Sequence, residues 1–303
     1  MNEKIPGDKT KGVLLGLAAY FAWGLMPLYF SIVREVPPLE LLFHRIVWSF
    51  VFLLLIVYFS GKTQAFKDVW KRPVLLRYLV LSAFLIACNW FIYIISVSTK
   101  QVQQASIGYY LSPIISILLG RFALQEPMKL IHWISLIIAF AGAAHITFLY
   151  GSVPILALGL AITFSSYGLL RKVVAVDSII GLATETSILF PISLIGILIF
   201  PKTVLIISDS GNLAIWVGMS GFITILPLLL FSAAASRVSL VSMGFFQYIS
   251  PTIQFLIAIF LLDEKWDHAK LPGFIMIWFS LVLFSFESFG IFKKSKKYEN
   301  IAD

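Results

Sequence analysis

The sequence predicts an all-α membrane protein of ten transmembrane helices in a five-plus-five inverted repeat. Three observations lead there: ten apolar runs long enough to cross a bilayer, Lys and Arg gathered on alternate connections, and a Tyr-x-Ser-Pro motif that occurs twice. Of the 303 residues, 59% are hydrophobic and 13% charged, with a mean hydropathy of +0.94. That leaves too little polar material to cover a water-facing globule of this size. Ten spans of about 20 residues use roughly 200 positions, and the rest suffices for short connections and two tails.

The first apolar run, Val13 to Val33, follows a polar N-terminus. It is long enough to span and lacks a small-residue cleavage pattern, so it is expected to be a retained helix. Four more runs follow at Leu39 to Phe59, Val74 to Val97, Ala105 to Leu124 and His132 to Leu149. A second set of five lies at Val153 to Leu170, Ile179 to Phe200, Leu213 to Ala234, Val241 to Leu262 and Phe274 to Phe292. Polar punctuation separates them, notably at Gly61 to Arg72, Lys100 to Gln104, Gln125 to Lys129 and Ser208 to Asn212.

With the N-terminus placed in the cytoplasm, 17 of the 23 Lys and Arg residues fall on that side and 5 on the other, leaving Arg45 inside a span. This one-sided bias predicts that both termini are cytoplasmic. Five crossings begin on one side and end on the other, so a second half of five must enter the bilayer upside down. Tyr110-Leu111-Ser112-Pro113 is answered 138 residues later by Tyr248-Ile249-Ser250-Pro251, and Leu15-Gly16-Leu17-Ala18 recurs as Leu158-Gly159-Leu160-Ala161. The expected repeats are residues 11–149 and 151–292.

The net charge of +8 is spread between apolar runs and builds no basic, aromatic-interleaved face, so lipid headgroups rather than nucleic acid are the expected partner. One cysteine, Cys88, permits neither a disulfide framework nor a thiolate metal cluster within one chain. No P-loop, zincin helix or dinucleotide glycine motif is present, and no cofactor or metal is expected.

Pro113 and Pro251 each remove a backbone donor midway along an apolar run, and paired interruptions in two halves are the best sequence pointer to a transport site. Arg45 within span two needs an anion or a route to water. Its candidate partners are Glu185 in span seven and Glu40, with His44 one helical turn further on. Two readings of His44, Arg45 and Glu185 stand side by side: a proton or anion relay, and a fixed ion pair that holds helices together. Tyr20, Trp23, Tyr93, Trp90, Tyr109, Tyr110, Tyr167 and Tyr248, with Asn89 and Gln247 beside them, form an aromatic set suited to a small organic solute. Glu126 and Glu264 fall just past spans four and nine, where a carboxylate is expected to face water. Gly218-Met219-Ser220-Gly221 resembles the serine motif of rhomboid proteases but lacks an evident histidine base.

At Ala18-Ala19-Tyr20-Phe21-Ala22-Trp23-Gly24, His44-Arg45, Trp48-Ser49-Phe50, Asn89-Trp90, Arg171-Lys172, Glu185-Thr186 and Gly244-Phe245-Phe246-Gln247-Tyr248, the chain resembles the RarD branch of the EamA-domain drug/metabolite transporters. The resemblance covers about residues 11 to 292. It implies two EamA modules and secondary transport by alternating access in a bacterial plasma membrane. The cavity it implies lies among helices one, three, four, six, eight and nine, lined by Tyr20, Trp23, Asn89, Trp90, Tyr109, Tyr110, Tyr167, Gln247 and Tyr248. The branch label carries a link to chloramphenicol sensitivity. The expected partners are a small-molecule solute and the bilayer, with a second copy of the chain left open. An intramembrane enzyme using Ser220, and a sensor or scaffold without turnover, are the alternatives.

Overall fold

A computed structural model describes residues 9–99, 101–149, 151, 154–174, 176–204, 211–261 and 268–288. Ten helices among them are long and apolar enough to cross a membrane. Span one comprises Lys9–Gly24 and Met26–Ile32; spans two to five are Pro38–Phe59, Pro73–Ser98, Val102–Phe122 and Leu130–Phe148. Spans six to eight are Ile155–Val174, Ser178–Ile199 and Gly211–Ala235; span nine comprises Leu240–Gln247 and Ile249–Phe260, and span ten is Leu271–Ser288. A short helix, Thr63–Val69, lies between spans two and three. Glu264 and both terminal tails, on which the expected cytoplasmic termini depend, lie outside the described residues.

Two of the helices are interrupted, though not the pair expected. Span four runs through Pro113 without a break, held against span nine where Gly244 lets the two backbones approach. Span nine does break, at Tyr248, one turn before Pro251, because Pro251 has no N–H for the Gln247 carbonyl. The second break is in span one at Leu25, where Pro27 leaves the Trp23 carbonyl without its helical donor. Gln254 of span nine supplies the missing bond, its Nε2 lying 3.2 Å from Trp23 O. Broken span nine thus repairs the break in span one, as a freed backbone group requires in hydrocarbon.

Span six extends past Leu170 to Val174, carrying Arg171 and Lys172 within the helix rather than in the following connection. Their charges are neutralised between helices, by Glu185 at 3.2 Å and Glu126 at 3.4 Å, so they need not mark the helix end. Glu126 is a second departure: instead of facing water it is buried. Its Oε1 and Oε2 accept from Leu240 N at 2.8 Å and Val241 N at 2.9 Å, capping the otherwise unsatisfied amides that open span nine. Ser239 completes that cap by accepting from Ser242 N.

Lys62, after span two, bonds Asp177, before span seven, at 2.6 Å. With the Glu126 contacts, this gathers the connections two–three, four–five, six–seven and eight–nine on one face, the face that the charge count marks as basic. Asp177 also accepts from Ile179 N and Ile180 N and so caps span seven. Burial raises the Asp177 carboxyl, but the Lys62 ammonium and the two amides outweigh it and leave the group below its ordinary value.

The most extensive helix contacts join four to six, five to ten, two to both seven and eight, one to eight, three to six and four to nine. Small residues permit the closest crossings. A Cβ on Gly221 of span eight would strike the Trp48 and Ser49 backbone of span two, and the Ser49 hydroxyl donates to Gly221 O at 3.2 Å. Gly142 and Gly273 bring spans five and ten together in the same way. The Gly-Met-Ser-Gly tetrad is therefore a packing surface in this fold, and no histidine is bonded to the buried Ser220 hydroxyl.

Gly221→Val is expected to lower stability by about 1–3 kcal/mol through overpacking. Gly218→Ala, whose Cβ has Trp48 no nearer than 4.0 Å, should be close to neutral; thermal unfolding in detergent compares the two. Asp177→Ala should cost about 1 kcal/mol near neutral pH, the usual worth of a cap. Because the folded-state carboxyl sits below its unfolded value, that difference should shrink as pH falls through the acidic range and the wild-type group is protonated. Denaturation at several pH values measures it.

Candidate functional site

The interrupted middle of span one faces the interrupted middle of span nine across a cavity. Its wall takes one helical stripe from each neighbouring span: Tyr20, Trp23, Pro27 and Phe30 from span one; Ile86, Asn89, Trp90 and Tyr93 from span three; Gly108, Tyr109 and Ser112 from span four; Gln247, Ser250, Pro251 and Gln254 from span nine. Leu160 and Phe164 of span six, Thr224 and Leu228 of span eight, and Arg45 of span two close it. The cavity has a volume of about 160 Å³. That is room for one small organic solute or on the order of ten waters.

Toward the basic face the cavity ends on packed aromatic rings. Phe231 lies 6.1 Å from Tyr20, 5.7 Å from Trp23, 5.6 Å from Phe164 and 6.1 Å from Tyr167, centroid to centroid. Tyr20, Tyr167 and Phe231 are buried. Beneath these rings sits the Glu185 carboxylate, bonded to Ser82 Oγ at 2.6 Å, Arg171 Nη1 at 3.2 Å and Tyr167 Oη at 3.4 Å. Arg171 also donates through Nε to Ser232 at 3.1 Å. Both charged side chains are 2% exposed. A buried, hydrogen-bonded pair of this kind joins helices, and removing one partner alone typically costs about 3–5 kcal/mol.

Arg45 therefore does not pair with Glu185. Spans two and seven do pack together, but Glu185 points to span six, and Glu40 is occupied by the Thr203 amide at 2.6 Å. The expected triad of His44, Arg45 and Glu185 is not assembled, and His44 is buried in span two outside the cavity wall. What Arg45 has instead is the Thr224 hydroxyl at 2.9 Å from Nε and two aromatic faces, with Cζ 5.4 Å from the Trp90 centroid and 5.8 Å from Phe30. Two cation–π contacts of about 0.5–2 kcal/mol each offset much of the minimum insertion cost of about 2.5–3.5 kcal/mol. Among the described residues only Nε of its five guanidinium donors is hydrogen-bonded.

The remaining polar groups form two small networks. Gln247 Nε2 donates to Ser112 Oγ at 2.7 Å, and Ser112 and Ser116 both reach Ser165 of span six. Asn89 Nδ2 spends its hydrogens on Leu160 O at 2.9 Å and Thr163 Oγ1 at 3.0 Å. Its side-chain oxygen remains as an acceptor.

Six of the nine expected lining residues, Tyr20, Trp23, Asn89, Trp90, Tyr109 and Gln247, lie on the cavity wall. Tyr110, Tyr167 and Tyr248 do not. Tyr248 and Tyr110 pack behind the wall with residues of spans five and ten, and the Tyr248 hydroxyl donates to Tyr110 O at 3.3 Å. The repeated tyrosines thus cement span four to span nine instead of forming opposite walls. Sequence reasoning missed Phe30, Ser112, Thr224 and Gln254. A signal for Gln254 was present, since positions 247, 250, 251 and 254 share one helical face.

The model of the EamA-like transporter family matches residues 10–148. Protein RarD of Salmonella typhi is 38% identical over 291 residues, covering 95% of this chain and 98% of that protein. The uncharacterized transporter YojE of Bacillus subtilis is 38% identical over 296 residues, covering 96% and 99%. A solved crystal structure superposes with a TM-score of 0.70 at 15% identity over 91% of this chain and 97% of that one, a likeness of fold alone. Ten membrane-crossing helices and near-full-length similarity together make this multi-pass bacterial membrane protein a member of the EamA drug/metabolite transporter family, in its RarD branch.

Proposed function

We propose that the chain is a secondary transporter that moves a small organic solute across the plasma membrane by alternating access. The observation that carries this reading is the cavity between two discontinuous spans, one and nine, whose breaks face each other through the Gln254 to Trp23 bond. Its aromatic wall with a few polar groups suits a drug-sized or smaller organic compound. The packed rings around Phe231 and the Glu185 and Glu126 networks close the cavity toward the basic face, which corresponds to one end-state of such a cycle.

The inverted repeat belongs to the same proposal, and the packing scheme supports it. Adding five to each span turns the pair three–six into eight–one, and leaves two–seven, four–nine and five–ten unchanged. Related halves of opposite orientation can exchange their conformations around a fixed central site, which gives a route to the opposite-facing state.

In reconstituted vesicles, saturable flux of small aromatic compounds, chloramphenicol among those tried, is the expected result. Trp90→Ala should lower that flux at least about tenfold, equivalent to roughly 1.4 kcal/mol of lost binding. Tyr248→Phe should leave it nearly unchanged, because the ring packs behind the wall. Undiminished flux in Trp90→Ala would remove the cavity from the transport path. Repeating the assay at several imposed pH gradients reads out proton coupling.

A further inference from the structure

Arg171 faces Glu185, and Lys172 faces Glu126, yet no carboxylate of the described residues lies within 4 Å of the Arg45 guanidinium. Among the described residues, the cavity that Arg45 lines contains no acidic side chain, so that wall carries one formal positive charge. We propose that the cavity selects an organic anion: a small carboxylate with an aromatic or apolar body, bound through the unused donors of Arg45. The proposal rests on the reading of this cavity as the solute site and adds the charge of the solute.

The guanidinium is already oriented. Thr224 Oγ1 donates to Ser220 O at 2.8 Å, which leaves its lone pairs to accept from Arg45 Nε at 2.9 Å. With Nε tied, the terminal amino groups remain, and these form the planar fork that matches a carboxylate in bidentate fashion. Trp90 and Phe30 flank the cation at distances near the outer limit for cation–π contact. They carry no net charge, so they position the guanidinium without neutralising it. Away from water, attraction between this charge and a carboxylate is stronger than in solution. A cationic solute would meet repulsion from Arg45, and a neutral one would leave the charge without a counter-ion.

Phenylacetate and phenylacetamide share one body and differ in charge, so their binding to the purified full-length protein in detergent, followed by calorimetry, tests the assignment. Phenylacetate is expected to bind saturably and at least about tenfold more tightly than the amide. Arg45→Gln should bring the two to similar affinity, whereas Arg45→Lys should keep a reduced preference for the anion. Thr224→Val, which removes the Nε acceptor, should weaken phenylacetate binding severalfold and serves as the second variant if Arg45→Gln does not fold. Equal affinity for both probes, a preference that survives Arg45→Gln, or no saturable binding of phenylacetate would overturn the proposal. Flux of neutral chloramphenicol without phenylacetate binding would sink the anion assignment and leave the transporter reading intact. Phenylacetate binding without flux under any gradient would do the reverse.

Discussion

Glu185 is almost fully buried, and three spans converge to satisfy its carboxylate: Ser82 from span three, Tyr167 and Arg171 from span six, and span seven on which it stands. An unpaired charge in that position would be untenable, so the pair dictates how the basic-face ends of these helices meet. Through Ser232, Arg171 extends the contact to span eight. The rings of Tyr167 and Phe231 stack directly beside this junction, and they back Tyr20, Trp23 and Phe164 of the cavity wall. Closure toward the basic face is in this sense built on one carboxylate.

The same arrangement accounts for the character of the site. Because Glu185 is committed to Arg171, and Glu40 to the Thr203 amide, Arg45 is left on the cavity wall, hydrogen-bonded to Thr224 and flanked by the Trp90 and Phe30 rings, with no ion pair among the described residues. Among the described residues charge is thus segregated: ion pairs knit the helices together, and Arg45 lies on the cavity wall. The proline breaks follow a related logic. Hydrocarbon tolerates a freed carbonyl only where protein or a cavity can meet it, and the Trp23 carbonyl is met by Gln254 at the cavity wall.

Much of the fold was legible from composition and pattern. Ten spans, their approximate limits and the gathering of alternate connections on one face follow from residue counts, because span length and charge bias are imposed by the bilayer rather than by particular neighbours. The site was legible in part. Trp90 and Asn89 share a helical face and both line the cavity, whereas Tyr248 falls off the stripe of positions 247, 250, 251 and 254 that faces the cavity. Thr224 and Phe30 carry no motif, and become site residues only because spans one and eight bring them to Arg45.

By itself, then, the sequence determined that this is a ten-span membrane protein and which helices hold its polar and aromatic groups, since hydrophobic length and helical periodicity are local properties of the chain. Tertiary structure alone decided the partners. Whether Glu185 neutralises Arg45 or Arg171, whether Glu126 meets water or caps span nine, and whether a proline bends its helix or passes unnoticed all depend on which helix faces lie within about 3 Å of one another. Those distances are set by packing between separate helices, from Arg171 and Glu185, 14 positions apart, to Glu126 and Leu240, 114 apart, and no local pattern encodes them.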